Sequence, residues 1–280
     1  MKILLAGCGD IGCRTGLRLA PQFECFGLKR NPQNLPDSIN PIAGSLTDLN
    51  RLQEVLAEGF DVLVVTLTPG EFTPEAYQKS YVDGAATIAS AINNAEHKPR
   101  LVIWVSSTSV YGDRQGAWVD EQSVTAPLSF SGKLLLQAEE QIAALPCASI
   151  IVRFSGIYGP GRTRMLGQIL AGKGRPAQPE QWSNRIHSDD CAGVLAHLIR
   201  CFENGDKLDS LYVATDCAPV TQHDLRLWLA AQLNVDLQDE IVEQKAIRRC
   251  SNQRLLETGY EFIYPGYKEG YQSLIDALPE

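Results

Sequence analysis

Residues 2–12 read KILLAGCGDIG, a continuous apolar run that closes on three glycines. An uninterrupted apolar strand suits a parallel sheet that is buried on both faces. A helix is predicted to follow from about Ile11. Gly7, Gly9 and Gly12 therefore stand between a strand and a helix, in the spacing GxGxxG.

Each glycine of this pattern has a physical role. Gly7 allows a tight turn, Gly9 lets the backbone approach a pyrophosphate, and Gly12 lets the helix pack close to the strand. The amide groups at the start of the helix, at Asp10 and Ile11, then face the anion. A tight turn without a ligand is the alternative. The strand–helix–strand context favours a Rossmann-type dinucleotide site.

Strand and helix patterns alternate along the first half of the chain. Further strands are predicted at FECFGLKR, DVLVVTL, RLVIWVSS and ASIIVRF, which begin at residues 23, 61, 100 and 148. Amphipathic or capped segments predict helices at 47–58, 74–94 and 131–145. Repeated strand–helix units predict an α/β fold with a doubly wound parallel sheet.

The pattern loosens after residue 155, where glycine and proline become frequent. We therefore expect a dinucleotide-binding core over residues 1–155 and a smaller C-terminal substrate lobe over 156–280. Residues at about 184–215 are expected to return to the core.

Composition limits the partners. The chain has 280 residues and a formal net charge of −8, and no dense cluster of Lys and Arg is present. We therefore expect neither nucleic acid nor membrane as a partner. The eight cysteines form no CxxC pair and show no zinc spacing with histidine, so no metal is expected. We expect the thiols to be reduced. The short apolar run at the N-terminus is no signal peptide, and we expect a cytoplasmic protein.

The end of the second predicted strand bears on the choice of cofactor. About twenty residues after the glycines, the chain reads Leu28, Lys29, Arg30, Asn31. A carboxylate at this place would accept hydrogen bonds from the ribose 2′-hydroxyl of NAD, and none is present. Lys29 and Arg30 suit a 2′-phosphate, the arginine by a bidentate fork, although two solvated surface charges are the alternative. The sequence favours NADP over NAD.

Three later motifs resemble a known family. VSSTSVYGD (105–113), RFSGIYGPGR (153–162) and NRIHSDDCAG (184–193) occur in this order. Together they resemble the extended short-chain dehydrogenase/reductase family, in particular an atypical bacterial branch that is NAD(P)-dependent epimerase/dehydratase-like. The resemblance covers essentially the whole chain. The GxGxxG spacing departs from it, because the family more often has GxxGxxG.

The resemblance implies a Ser/Tyr/Lys constellation, in which tyrosine is the general acid/base, lysine holds the nicotinamide ribose and serine binds the substrate oxygen. The serine falls on Ser107 and the lysine on Lys133, although a strand-end cap and a surface lysine are the alternatives. Ser129 stands where the tyrosine is expected. A serine hydroxyl is a far weaker acid than a phenol. Another group must then transfer the proton, or no redox turnover occurs.

The resemblance also implies further contacts. Those to the cofactor are expected at Leu46, Thr66, Leu67, Lys133 and Ser155. Those to a substrate are expected at Thr108, Tyr111 and Arg162, although a structural role is the alternative for Tyr111. Dehydratase members carry an acid at the place of Thr108, so dehydration is not favoured.

The function implied is an NAD(P)-binding oxidoreductase or epimerase-like protein that acts on a small molecule. A non-catalytic NADP-binding sensor or interaction protein is the alternative. Because family members often dimerise through the helices at 74–94 and 131–145, the resemblance also implies a homodimer.

Overall fold

The computed structural model describes residues 1–241 and 247–278. The strands are β1 (Lys2–Ala6), β2 (Glu24–Lys29), β3 (Asn40–Ala43), β4 (Val62–Val65), β5 (Leu101–Ser107), β6 (Trp118–Val119), β7 (Ala148–Phe154), β8 (Gly156–Tyr158), β9 (Lys173–Gly174), β10 (Trp182–Ser183), β11 (Arg185–His187), β12 (Leu211–Ala214), β13 (Val220–Thr221), β14 (Gln238–Asp239) and β15 (Arg249–Cys250). The α-helices are α1 (Asp10–Leu19), α2 (Leu49–Leu56), α3 (Pro74–Tyr77), α4 (Asp83–Asn94), α5 (Phe130–Ala143), α6 (Arg164–Leu170), α7 (Ser188–Asn204), α8 (Gln222–Leu233), α9 (Gln253–Glu257) and α10 (Tyr267–Asp276).

Seven strands form one parallel sheet in the order β12-β7-β5-β4-β1-β2-β3. β1 and β4 are apolar and almost completely buried, as expected for strands covered on both faces. The Rossmann-type α/β fold predicted from the glycine turn and the strand–helix alternation is confirmed.

The strand order reverses beside β1, which pairs with β2 on one side and with β4 on the other. In open α/β sheets, ligands bind at the carboxyl ends of the strands where the order reverses. The glycine turn follows β1, and Thr66 follows β4. The topology therefore brings these two loops to the expected ligand edge.

Side-chain caps begin α3, α5 and α8, and the first two of these begin the helices predicted at 74–94 and 131–145. Thr73 accepts a hydrogen bond from the amide of Ala76, and Ser129 accepts one from the amide of Gly132. Thr221 caps α8 in the same way. The helix predicted over 74–94 is less regular than expected, because a π-helical segment at Gln78–Val82 separates α3 from α4.

The third strand of the chain, β3, lies at the edge of the sheet and was absent from the sequence prediction. It has four residues and includes Pro41, which has no N–H group to donate. Proline is tolerated at a sheet edge. The strand exists because its backbone pairs with β2, with Leu28 opposite Ile42.

Contacts divide the chain into two compact units. The first comprises residues 1–110, 129–153 and 192–212, and the second comprises residues 111–128, 154–191 and 213–280. One division lies between residues 153 and 154, and the expected substrate lobe over 156–280 stays a prediction. Residues 192–212, inside the stretch expected to return to the core, belong to the first unit, whereas residues 111–128 belong to the second.

Each unit has its own apolar core. In the first, residues such as Leu4, Leu63 and Trp104 form the cluster between the sheet and its helices. In the second, Tyr158, Leu229 and neighbours from α6, α8 and α10 form a smaller cluster. Within residues 1–241 and 247–278, no helix has the length and hydropathy that crossing a membrane requires.

Candidate functional site

The glycine turn begins with a backbone conformation that favours glycine. Gly7 has a φ of +80°, in the left-handed region. A Cβ atom at this position would lie 2.9 Å from the carbonyl oxygen of Thr66. The amides of Gly7 and Cys8 both donate to the carbonyl of Leu28 in β2. The turn is therefore held against the ends of both strands that flank β1.

The other two glycines differ in their surroundings. A Cβ atom on Gly12 would lie 3.1 Å from the side-chain oxygen of Thr66, so α1 approaches the end of β4 closely. Among the described residues, a Cβ atom on Gly9 would meet only the carbonyl oxygen of Gly7 within 4 Å, at 3.8 Å. Gly12 is therefore a packing residue, and the backbone at Gly9 is open to a ligand.

Helix α1 starts without a side-chain cap. Gly9 is its N-cap residue and supplies no side-chain acceptor to the amides of the first turn. The carboxylate of Asp10 would oppose an anion at this helix end, but it forms an ion pair with the Nε of Arg14 at 2.7 Å. The start of α1 therefore offers backbone donors beside a carboxylate whose charge is partly compensated.

A cavity of about 1060 Å³ opens beside the turn, entirely within the first unit. We call it the groove. This volume matches the upper end of the range for ligand sites, about 300–1,000 Å³. Its walls come from the glycine turn, the ends of β2 and β4, the loop after β3 and the helical segment after β4. The lining residues are Gly7, Cys8, Gly9, Leu28, Lys29, Arg30, Asn31, Asn34, Gly44, Ser45, Leu46, Thr47, Thr66, Leu67, Thr68, Gly70, Ala76, Lys79 and Ser80.

The lining is cationic although the chain is acidic. Lys29, Arg30 and Lys79 are its charged members, and no Asp or Glu lines it within residues 1–241 and 247–278. The net charge of the whole chain is −8. The groove is thus a local exception that suits an anionic ligand.

Most of the predicted cofactor residues are brought together here. Gly7, Gly9, Lys29, Arg30, Leu46, Thr66 and Leu67 all line the groove. The first turn of α1 contains Asp10, Ile11 and Gly12, which adjoin its glycine wall. The role of these residues in binding stays a prediction.

Lys79 is the lining cation that sequence reasoning missed. It lies in the π-helical segment, and Ser80 of the same segment also lines the groove. Single π-helical turns are frequent at functional sites, because they alter the direction of side chains on a helix. No motif or spacing marks this lysine in the sequence.

The positions of the Ser/Tyr/Lys constellation lie in the first unit but do not line the groove. Ser107 ends β5, and its hydroxyl accepts a hydrogen bond from the amide of Ser109 at 3.2 Å. Lys133 is exposed on the first turn of α5, a helix that packs against β5. The hydroxyl of Ser107 thus has a backbone partner, as the strand-end alternative expects, while its catalytic role stays a prediction.

Ser129 has a structural task. Its side-chain oxygen accepts the amide of Gly132 at 3.1 Å and lies 2.9 Å from the hydroxyl oxygen of Ser131. These contacts make Ser129 the N-cap of α5. The hydroxyl of the residue at the expected tyrosine position therefore caps the N-terminus of α5.

The remaining predicted residues are distributed over both units. Thr108 is buried in a short 3-10 turn and belongs to the first unit. Tyr111, Ser155 and Arg162 belong to the second. Tyr111 is completely buried, which favours a structural role, and the buried hydroxyl of Ser155 has no hydrogen-bond partner among the described residues.

The described residues contain no group of three or more His, Cys, Asp or Glu side chains that could hold a metal ion. The ionisable side chains among the described lining residues are Cys8, Lys29, Arg30 and Lys79, and the Asp10 carboxylate adjoins the glycine wall.

Comparison with known proteins identifies the relatives. Residues 7–214 match the model of the NAD dependent epimerase/dehydratase family. The Escherichia coli protein YeeZ is 35% identical over 204 residues, which are 70% of this chain. The matched region spans 62% of YeeZ, less than two thirds of its length. Short-chain dehydrogenase/reductase family 42E member 1 of Xenopus laevis is 25% identical over 193 residues, 60% of this chain and 49% of that protein.

A solved structure agrees with these relatives over the whole length. A Methylobacillus flagellatus protein of the NAD-dependent epimerase/dehydratase type has 37% sequence identity and a TM-score of 0.83. The similarity covers 99% of this chain and 98% of that one. The family resemblance of the motifs is confirmed, and this chain belongs to the NAD-dependent epimerase/dehydratase family.

Proposed function

We propose that the protein binds NADP in the groove and acts as an oxidoreductase or epimerase-like enzyme on a small molecule with a carbonyl or carbinol group. One observation carries the proposal. Among the described residues, the groove beside the glycine turn is lined by Lys29, Arg30 and Lys79 and by no carboxylate, in a chain of net charge −8.

The choice of NADP over NAD follows from the end of β2. Enzymes that prefer NAD place a carboxylate there, which accepts a hydrogen bond from the ribose 2′-hydroxyl and repels a phosphate. Lys29 ends β2, and Arg30 follows it. A guanidinium can bind a phosphate by two parallel hydrogen bonds, and the neighbouring ammonium groups add attraction. The residues present therefore fit a 2′-phosphate.

The other walls fit the remaining parts of a dinucleotide. The open backbone at Gly9 and the uncapped start of α1 suit a pyrophosphate. The apolar side chains of Leu46 and Leu67 suit the faces of an adenine ring. When bound, NADP supplies a hydride acceptor or donor.

The protein residues proposed for catalysis are Ser107 and Lys133. Ser107 would bind the substrate oxygen, and Lys133 would hold the ribose hydroxyls. Because Ser129 is a helix cap with a poorly acidic hydroxyl, the proton must come from another group. Thr108, Tyr111 and Arg162 are proposed as substrate contacts, and Ser155 as a cofactor contact.

A second candidate function is an NADP-binding sensor or interaction protein without turnover. The capping role of Ser129 favours it, because the position that carries the proton in the resembled family is used here to hold a helix. The two candidates share the cofactor and differ in hydride transfer.

Titration with NADPH and NADH tests the cofactor. Wild type is expected to bind NADPH more tightly, and Arg30→Ala to weaken NADPH binding by about tenfold or more, because a charge-assisted pair is lost. Binding of NADH should change little. Lys207→Ala, which removes an exposed cation outside the groove, is the matched control. Tighter binding of NADH by wild type would contradict the choice of NADP.

A turnover assay separates the two candidates. NADPH oxidation is measured with a panel of aldehydes, ketones and keto sugars, for wild type and Lys133→Ala. Turnover that disappears in Lys133→Ala supports the enzyme. Tight NADPH binding without oxidation across the panel supports the sensor.

We further propose a cytoplasmic homodimer that binds neither nucleic acid nor membrane. The acidic charge supports the absence of nucleic-acid and membrane partners, the absence of CxxC pairs supports the cytoplasm, and the dimer rests on the family resemblance. Sedimentation equilibrium of the full chain tests the dimer, and a monomer at all concentrations would contradict it.

A further inference from the structure

Two cysteine thiols face each other inside the glycine turn. Cys8 stands between Gly7 and Gly9, and Cys13 lies in the first part of α1. Their sulfur atoms are 3.7 Å apart, and the sulfur of Cys13 is 3.6 Å from the carbonyl oxygen of Cys8. The turn proposed to bind the pyrophosphate therefore contains a pair of thiols in contact.

The two thiols have different surroundings. Cys8 is completely buried, whereas Cys13 is partly exposed. The pKa of Cys13 is lowered to about 7, first by the hydrogen bond from the Cys8 thiol and then by the Lys29 ammonium, against the effects of burial and of Asp10. The same hydrogen bond and burial raise the pKa of Cys8. Cys13 is thus suited to act as the attacking thiolate and Cys8 to follow.

We propose that Cys8 and Cys13 form an oxidation site, a dithiol that a peroxide converts to a disulfide, and that this closure lowers the affinity of the groove for NADP. The second part rests on the proposed function. The Cys13 thiolate attacks one peroxide oxygen, the O–O bond breaks, and a sulfenic acid and hydroxide form. The Cys8 sulfur then displaces the sulfenic hydroxyl group as water, and the S–S bond forms. In total, two thiols and one hydrogen peroxide give one disulfide and two waters.

Closure must disturb the turn. A disulfide requires an S–S distance of about 2.05 Å, well below the present separation of 3.7 Å. The Cys8 sulfur is completely buried and lies close to the glycine backbone, since a Cβ atom added at Gly12 or Gly27 would lie 3.6 or 3.0 Å from it. The residues between the two cysteines include Gly9 and the start of α1, whose amides are proposed to bind the pyrophosphate. We therefore expect closure to displace these donors.

The effect works in both directions. A bound dinucleotide would cover the turn, and its phosphates would engage Lys29, which favours the Cys13 thiolate. Bound NADP should therefore slow the oxidation. Linkage requires the two effects to be equal: the factor by which oxidation lowers the affinity for NADP is the factor by which bound NADP lowers the equilibrium constant for oxidation of the pair.

Cys25 is a third thiol that could form a disulfide with Cys8 in place of Cys13. It is buried in β2, and its charge influences Cys8. Trypsin separates the alternatives, because cleavage after Lys2 and Arg14 puts Cys8 and Cys13 into the peptide 3–14. Cleavage after Arg18 and Lys29 puts Cys25 into the peptide 19–29. A Cys8–Cys13 disulfide is therefore a loss of two hydrogens within one peptide, and a bond to Cys25 links two peptides.

The experiment uses the full reduced chain. It is exposed to hydrogen peroxide with and without NADPH, alkylated, digested and analysed by mass spectrometry, and NADPH binding is titrated in parallel. Peptide 3–14 is expected to lose two hydrogens and resist alkylation. NADPH affinity should fall by about tenfold or more, because amide hydrogen bonds to a charged phosphate are lost. Dithiothreitol should restore both, and bound NADPH should slow the loss.

Variants give the contrast. Cys13→Ser and Cys13→Ala should bind NADPH and keep that affinity in peroxide, whereas Cys25→Ser should respond like wild type. A link between peptides 3–14 and 19–29, or over-oxidised cysteine without a disulfide, would overturn the oxidation site. Closure that leaves NADPH affinity unchanged would overturn the coupling. If the reduced protein binds no NADPH, the proposed function and the coupling fail, and the peptide masses still decide whether the pair closes.

Discussion

The hydroxyl of Thr66 donates a hydrogen bond to the carbonyl oxygen of Gly7 at 3.0 Å. This bond ties the end of β4 to the turn after β1, where the strand order reverses. The Cβ positions of Gly7 and Gly12 both point at Thr66, at 2.9 Å from its carbonyl oxygen and 3.1 Å from its hydroxyl oxygen. Thr66 therefore serves as the surface against which the glycine turn is formed.

Gly7→Ala should lower the free energy of unfolding by about 1–3 kcal/mol, because the left-handed conformation and the contact with Thr66 both oppose a side chain. It should also weaken NADPH binding. Urea unfolding followed by circular dichroism measures the first effect. Gly167→Ala in α6, where a Cβ atom would meet nothing within 4 Å, is the control and should be neutral or stabilising. Equal stability of the two variants would contradict the close approach.

Ser129→Ala should lower the free energy of unfolding by about 1 kcal/mol, because it removes the cap of α5. Ser129→Asp retains an acceptor for the Gly132 amide and should stay within a few tenths of a kcal/mol of wild type. Any NADPH-dependent turnover should persist in Ser129→Ala, since the serine is proposed to transfer no proton. Loss of turnover with unchanged stability would show that the hydroxyl is catalytic.

Arg153→Met should lower the free energy of unfolding by about 3–5 kcal/mol. Its guanidinium binds the buried carboxylate of Glu139 through Nε at 3.0 Å and a terminal nitrogen at 2.6 Å. Ser106 also donates to this carboxylate, at 2.5 Å. Without Arg153, a buried charge between α5 and the sheet loses its counter-ion. Chemical denaturation measures the loss.

An exposed ion pair provides the control for the buried pair of Glu139 and Arg153. Glu54→Ala breaks the ion pair with Arg51 on α2 and should cost about 0.5 kcal/mol or less. The double variant Glu139→Leu, Arg153→Met should recover part of the loss, because no unpaired charge remains. A cost of Arg153→Met no larger than that of Glu54→Ala would argue against the buried pair.

Asp216 should make stability fall as pH rises between about 4 and 7. Burial raises the pKa of this carboxyl from 3.8 to about 7, so the folded state holds a proton that the unfolded state releases in this window. The slope from this group is at most about 1.4 kcal/mol for each pH unit. Asp216→Asn should remove that slope and be relatively more stable at pH 8 than at pH 4.

Unfolding curves at several pH values test this prediction. Asp37→Asn, which changes an exposed carboxyl, should follow the wild-type pH dependence. An unchanged slope in Asp216→Asn would mean that the carboxyl is ionised in the folded state throughout.

Features that depend on neighbours in sequence were predictable. The caps at Thr73, Ser129 and Thr221 use oxygens that lie three residues from the amides they bind. Unbroken apolar runs in the sequence predict the strands β1 and β4. These signals are short-range, because caps and buried strands are determined by side chains that are adjacent along the chain.

Features that depend on contacts between distant segments of the chain could not be predicted from the sequence. β3 has a proline in a short polar context and becomes a strand only because β2 offers it an edge. Lys79 joins the groove because the π-helical segment after β4 lies beside the glycine turn. The buried pair of Glu139 and Arg153 joins a helix to a strand, and no pattern in the sequence links them.

The sequence by itself determined that residues 7–12 form a glycine turn between a strand and a helix, since that geometry needs only glycines and local hydrogen bonds. The tertiary structure alone decided what surrounds the turn. It brought Lys29, Arg30 and Lys79 to one groove, because parallel strands place their carboxyl ends along one edge of the sheet. It also set the thiols of Cys8 and Cys13 in contact, because the turn folds back on the start of α1.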